Sequence, residues 1–465
     1  MAVSHSLNAD PPRTAHSHTH SHGPADSAAP TTAPALRTVV LIVLAAIAVV
    51  TVVGLIALWP NGAAVNKAAS NAHYTQRGVT YPNATIEAIA SGCPEFAGTD
   101  ASTPSGPGDT RACQLARVKV LSGSSAGVSV TLPILWPNSK AGLGVGDEVK
   151  LMQTRSGGAI TQQSDAQNGT IAAGNGSSFT FYGVVRDQPI LWWALAFALI
   201  VVLVGALRGL MALVALAFAG VTLWIFTLPA LISGSPGLAV GLCSAAAIMF
   251  VVIYVAHGVS IRSSVALLGT FIGVAITAGV SQLMVATTNL TGVPDDTTSN
   301  ISTITTSIDF RGLLTCAIII AGLGVLNDIT ITQASAVWEL RAAAPGMSRR
   351  ALFTSAMRIG RDHIASTIYT IVFAYAGTAL AVLVTIYLYN KSTPELLTGE
   401  DIATEVVRTL CSSIGLILAM PATTVLAVLL LPVRPGEVVQ PTVSRTGLLR
   451  LQLAMLFGGR SRHSA

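Results

Sequence analysis

The stretch RGLMALVALAFAGVTLWIFTLPALISGSPGLAVGLCSAAAIMFVVIYVAHGVSIR, running from Arg208 to Arg262, decides the fold. Between its two terminal arginines there is no Asp, Glu, Lys or Arg. A helix rises about 1.5 Å per residue, so about 20 apolar residues cross a hydrocarbon core of about 30 Å. The stretch is therefore long enough for two crossings. Ser233-Gly234-Ser235-Pro236 supplies the break between them, giving predicted spans at 209–232 and 237–256.

Outward from this pair the same reading repeats. Further apolar runs lie at 188–207, 263–286, 312–334, 364–389 and 409–431, each flanked by charge. Upstream, 38–59 reads as an uncleaved anchor: it is longer than a secretory apolar region and ends at Trp59-Pro60, where an interfacial aromatic belongs. The chain is 51% hydrophobic and only 10% charged, against about 25% charged in soluble domains. The predicted class is an α-helical polytopic membrane protein with about eight transmembrane helices. Its net charge of +5 is carried by arginines beside apolar spans rather than in clusters interleaved with aromatics, so nucleic acid is excluded as a partner and the lipid bilayer is the expected one.

The positions of Lys and Arg orient these spans. With a cytosolic N-terminus, the cytosolic segments hold Arg37, Arg208, Arg262, Arg341, Arg349, Arg350, Arg358 and Arg361 among others, whereas the short outer connections hold only Arg311, Lys391 and Arg408. Both termini are thus predicted to be cytosolic, with 60–187 outside. The chain divides into a disordered His-rich tail (1–37), the anchor (38–59), an exoplasmic β domain (60–187), a seven-helix membrane core (188–431) and a basic cytosolic tail (432–465). In the exoplasmic segment, 84–90, 114–120, 127–132, 148–152 and 179–185 alternate as strands, with turns at Ser122-Gly123, 142–147 and Gly157-Gly158. Five short strands predict a small OB-like β-barrel, acting as a structural or interaction module towards an envelope protein partner. Cys93 and Cys113 fall in this segment and are expected to form a disulfide.

The candidate chemistry lies in the sixth span, Gly322-Leu-Gly-Val-Leu-Asn327-Asp328-Ile-Thr330-Ile-Thr332-Gln333-Ala-Ser335. A carboxylate within a span is costly and normally faces protein, a cavity or a partner. Asp328, Thr332 and Ser335, at i, i+4 and i+7, share one helix face, and oxygen groups so placed suit a hard cation or a proton relay. The seventh span opens on Arg361-Asp362-His363, and either Arg361 or His363 could pair with Asp328 across the helix ends. The pathway candidates are therefore Asp328, Asn327, Thr332, Gln333, Asp362 and His363; the alternative role for Asp328 is packing between helices. Ser348 is the predicted N-cap of a basic amphipathic helix over 348–361. In the N-terminal tail, His16, His18, His20 and His22 alternate with other residues, and a flexible chain can fold such a tract around a divalent metal. No other cofactor is expected. P-loop, HExxH and GxSxG motifs are absent from the sequence, and an enzyme is not expected.

Gly322 to Ser335, with Val337-Trp-Glu-Leu340 and Gly360-Arg-Asp-His-Ile-Ala-Ser-Thr367, resembles the YibE/F-like family of bacterial membrane proteins. The resemblance covers about 180–431. It implies a plasma-membrane location and a multi-span core, and it brings no activity with it. In the family pattern a second acidic residue stands where this chain has Asn327. The expected function is a permease-like transporter of a small solute or ion, the rival being a non-transporting scaffold or envelope assembly factor acting through the exoplasmic domain.

Overall fold

The computed structural model describes residues 34–75, 79–91, 114–135, 137–155, 171–173, 177–294, 298–299, 301–302, 307–388 and 398–431. The helices are α1 Pro34–Ala57, α2 Gly62–Thr75, α3 Asp187–Thr222, α4 Leu228–Ile232, α5 Gly237–His257, α6 Ile261–Thr287, α7 Phe310–Ala343, α8 Arg349–Thr378, α9 Leu380–Leu388 and α10 Glu400–Leu430. Leu223–Thr227, between α3 and α4, is wound as a π-helix. Six helical stretches are long and apolar enough to cross a membrane: 36–57, 187–232, 237–257, 261–287, 310–343 and 400–430.

The stretch 187–232 is not straight. Ala206 sits at φ 48° and ψ −136°, outside helical geometry. A Cβ on Gly209 would run into the carbonyl oxygen of Val201. In a continuous helix, residues eight apart are separated by about 12 Å along the axis. The chain therefore doubles back at Ala206, two residues before Arg208, the boundary the sequence predicts between two spans. The amphipathic helix and the apolar segment that follows it are instead one element: α8 runs from the basic Arg349 to Thr378 and is interrupted only at Ala379. Ser348 caps it, accepting from the Ala351 N–H at 3.3 Å, as its hydroxyl predicted.

The core of the bundle is α6, α7 and α10. Glycines set how closely these helices approach, because a glycine lets backbones meet where a side chain would keep them apart. A Cβ on Gly269 would lie 2.9 Å from Thr423 Cβ, one on Gly273 2.8 Å from Ala419 Cβ, and one on Gly415 3.1 Å from Thr277 Cβ. These pairs advance by four residues on α6 while retreating by four on α10, so the two helices pack antiparallel along one seam. A parallel crossing joins α5 to α7, where a Cβ on Gly237 would lie 2.6 Å from Gly312 Cα and one on Gly241 3.1 Å from Cys316 Cα. Around these contacts Leu267, Ile319, Leu326, Ile329, Leu416 and Met420 form the apolar core.

Between α2 and α3 lies a curled antiparallel sheet. Its strands are β1 Val79–Thr80, β2 Asn83–Ser91, β3 Gln114–Val120, β4 Ser129–Ile134, β5 Glu148–Arg155, β6 Ile171–Ala173 and β7 Ser177–Val184. The order is β4-β3-β2-β5-β7-β6, with β1 paired to β5. Alternation along β3 puts Ala116, Val118 and Val120 inside with Ile86, Leu132, Leu151 and Phe179, while Arg117 and Lys119 face out. Gln153 is buried within this core, and its Nε2 donates to Ser125 Oγ at 2.8 Å and Ser177 Oγ at 3.1 Å. The five longer strands are legible in the sequence, whereas α2, β1 and β6 are not. β1 and β6 are too short for alternation to be read, and α2, being Ala- and Asn-rich, carries no apolar stripe.

Candidate functional site

Helix α7 positions Asp328, and α8 brings His363 to it. His363 Nε2 lies 3.4 Å from Asp328 Oδ2, which is ion-pair distance once the imidazole is protonated. The side chain of Asp328 is 65% exposed on the protein surface and that of His363 33%. Nε2 itself is shielded and makes no hydrogen bond, so the contact is one of proximity rather than of directed donation. Asn327 beside it is half-buried, with its Oδ1 shielded and lacking a partner. Thr332 and Ser335 are half-buried, and Asp362 is exposed.

Gln333 has a different place. It is fully buried, and its Nε2 donates to the Ala356 carbonyl of α8 at 3.0 Å and to Thr424 Oγ1 of α10 at 2.8 Å. It pins three helices together. At about 100° per residue, Gln333 lies about 20° from Gly322 around α7, whereas Asp328 lies about 120° from it. The candidates named from sequence thus separate into a surface pair, Asp328 with His363, and an inner polar seam that holds Gln333.

The inner seam is what sequence analysis missed. Thr270 on α6 and Thr330 on α7 share a hydrogen bond at 2.7 Å, and Thr227 shares one of the same length with Ser244 on α5. Further along the α6–α10 contact, the hydroxyls of Thr277, Ser281 and Ser412 are buried with no hydrogen-bond partner. The signal was present as small or hydroxyl residues every four positions: Gly269, Gly273, Thr277 and Ser281 on α6, and Cys411, Gly415, Ala419 and Thr423 on α10.

At one end of the bundle a cleft of about 230 Å³ opens between the first turns of α5 and α7 and the last turns of α6. Gln282, Asp309, Arg311 and Thr315 supply its polar lining. At the same end Glu400, the first residue of α10, gathers the loop after α6. Its Oε1 accepts from the backbone N–H groups of Thr291 at 2.7 Å and Gly292 at 2.9 Å, and from the Thr291 hydroxyl. Arg408 pairs with Glu405 at 2.8 Å and stands over the Tyr375 ring, tying α10 to α8. Among the described residues no group of three His, Cys, Asp or Glu side chains could hold a metal ion. The predicted metal ligands His16, His18, His20 and His22 and the predicted disulfide Cys93–Cys113 lie outside the described residues.

Glycine-packed apolar helices with a polar seam inside them define a multi-pass membrane protein. The family described as YibE/F-like protein matches residues 193–433, just over half of the chain, and the chain belongs to that family. Neither a curated protein nor a solved structure matches it.

Proposed function

We propose that this chain is a permease-like transporter moving a small solute or ion across the bacterial plasma membrane, with the Asp328–His363 pair on its pathway. The observation that carries this reading is a carboxylate within an apolar helix, set 3.4 Å from an imidazole on the neighbouring helix. An ionisable pair at such a place is costly to insert and usually serves a pathway. On this reading the chain crosses eight times: the stretch 187–232, folded back at Ala206, counts twice, and the apolar part of α8 with α9 adds a further crossing. The arginine distribution supports an orientation with both termini in the cytosol and the sheet outside. In the sheet, β2 lies between β3 and β5 and β7 follows β5, and β4 approaches β7 without pairing to it, which supports an OB-like barrel. No catalytic step and no cofactor is needed.

The test is the thermal stability of purified wild type and Asp328→Asn against a panel of ions and small solutes. A ligand of the folded state at a hundredfold its Kd stabilises by about 2.7 kcal/mol. Stabilisation of the wild type that vanishes in Asp328→Asn is the expected result; stabilisation by nothing in the panel, with an equally stable variant, defeats the reading. The exposure of Asp328 favours a second reading, a scaffold whose outer sheet engages an envelope protein. Crosslinking of that sheet to one partner, with Asp328→Asn harmless in cells, would establish it.

A further inference from the structure

Helix α1 stands against the core along one face. Val40, Leu44 and Thr51 are buried on it, and Gly54 lies against Cys243 Sγ of α5. Steps of three, four and seven residues keep to a single side of a helix. Beside this contact, between α1 and α6, runs a groove of about 430 Å³. Ala46 and Val50 of α1, Leu242 and Ala246 of α5, and Val274 and Ala275 of α6 are among the residues that line it.

Depth decides what can fill this groove. The spans 36–57, 237–257 and 261–287 have their midpoints near residues 46, 247 and 274. Every lining residue falls within five positions of a midpoint, about 8 Å along a helix axis. A hydrocarbon core of about 30 Å reaches about 15 Å to either side of its middle, so the groove lies inside it. Its walls offer nothing to a polar guest. The hydroxyl of Thr51 donates to the Ile47 carbonyl of its own helix at 2.7 Å, and the Cys243 thiol sits at the Gly54 contact. An apolar cavity of about 150 Å³ stays dry and takes up benzene, and this one is larger. The rim is open, with Val43 39% and Val50 69% exposed on the surface that α1 turns to the bilayer. A helix of a second copy is too thick an occupant: at about 10–12 Å across, only about one or two of its turns would fit this volume. An unbranched hydrocarbon chain is thin enough, and at this depth it is the solvent.

We propose that the groove is a binding site for one acyl chain of a bilayer phospholipid, seated between the anchor α1 and the core helices α5 and α6. Alanines at 46, 246 and 275 make the room. The chain supplies the dispersion contacts that bare walls lack, and it fastens α1, which leads into the sheet, to the bundle. The site is independent of the transport reading and stands whether or not Asp328 lies on a pathway.

The experiment compares purified full-length wild type with Ala275→Phe and Ala46→Phe, which fill the groove from opposite walls. Phospholipid retained per chain after detergent washing is counted, and melting temperatures are taken with and without added dioleoyl-phosphatidylglycerol. The wild type should keep more lipid than either variant and melt higher when lipid is added, whereas the variants should respond little. Equal retention and an equal response in all three overturn the proposal. So does a wild-type dimer that either variant splits, which would put a second copy in the groove. Should both variants fail to fold, a phospholipid with a photoreactive group midway along its acyl chain decides on the wild type in vesicles. Adducts at Leu242 and Val274 should then exceed those at Val204, which is 85% exposed. Adducts that follow exposure alone overturn the site.

Discussion

At the scale of single residues, Gln333 and Asp328 show how two neighbouring polar side chains in one apolar helix come to different ends. Gln333 is enclosed and satisfies two helices at once, so its amide acts as a cross-brace. Removing it takes away both bonds, although the Thr424 hydroxyl keeps its own bond to the Met420 carbonyl and the Ala356 carbonyl stays within its helix. Gln333→Leu is expected to destabilise the protein by about 1–3 kcal/mol, read as a lower melting temperature or a lower denaturant midpoint. The Thr270–Thr330 bond is a smaller matter. A double-mutant cycle with valine at both positions should return a coupling near 0.6 kcal/mol, because the partly unfolded chain in the membrane also finds partners for its hydroxyls. Asp328 was legible in the sequence as an anomaly, since charge in an apolar run is visible without any structure. Its pairing with His363 rather than Arg361 was not, because that choice depends on the rotation of α8 against α7.

Elements obey a different logic, that of close approach. The α6–α10 contact is a ladder of small residues, and enlarging one rung forces the backbones apart. Gly273→Leu should separate the helices and abolish recovery of folded protein in gel filtration, whereas Gly279→Leu on the outer face of α6 should be recovered normally, since nothing lies within 4 Å of a Cβ there. At the fold-back of α3, Ala206 holds a positive φ that glycine adopts more readily. Ala206→Gly is expected to stabilise by about 1 kcal/mol, measured as a higher melting temperature. Hydropathy placed the spans because apolar length is a property of each segment alone. It could not show which glycines meet, since register between helices belongs to pairs of segments far apart in the chain. For the same reason Thr277, Ser281 and Ser412 passed unnoticed: each is unremarkable alone and becomes a group only where α6 and α10 cross. The basic helix and the apolar segment after it read as two pieces because amphipathic and apolar patterns differ, although the backbone passes between them without interruption.

For the molecule as a whole, the orientation proposed here is open to a direct check. Single cysteines introduced at Lys140 and at Arg208, in a background with the native cysteines replaced, should react with a membrane-impermeant thiol reagent in intact cells at Lys140 only. Labelling at Arg208 alone would invert the topology. The placement of Glu400 and of the glycine ladder has a consequence for how the chain is made. Gly269 and Thr423, which form one rung, are more than 150 residues apart, and α10 is the last described helix to leave the ribosome. At about 5–20 residues per second, α6 waits on the order of ten to thirty seconds in the bilayer with its glycine face uncovered. During that interval the loop after α6 also lacks the carboxylate that will gather it. Newly made chains are therefore exposed to quality-control proteases until α10 is inserted, and a ribosome stalled short of Glu400 would leave a product without that helix.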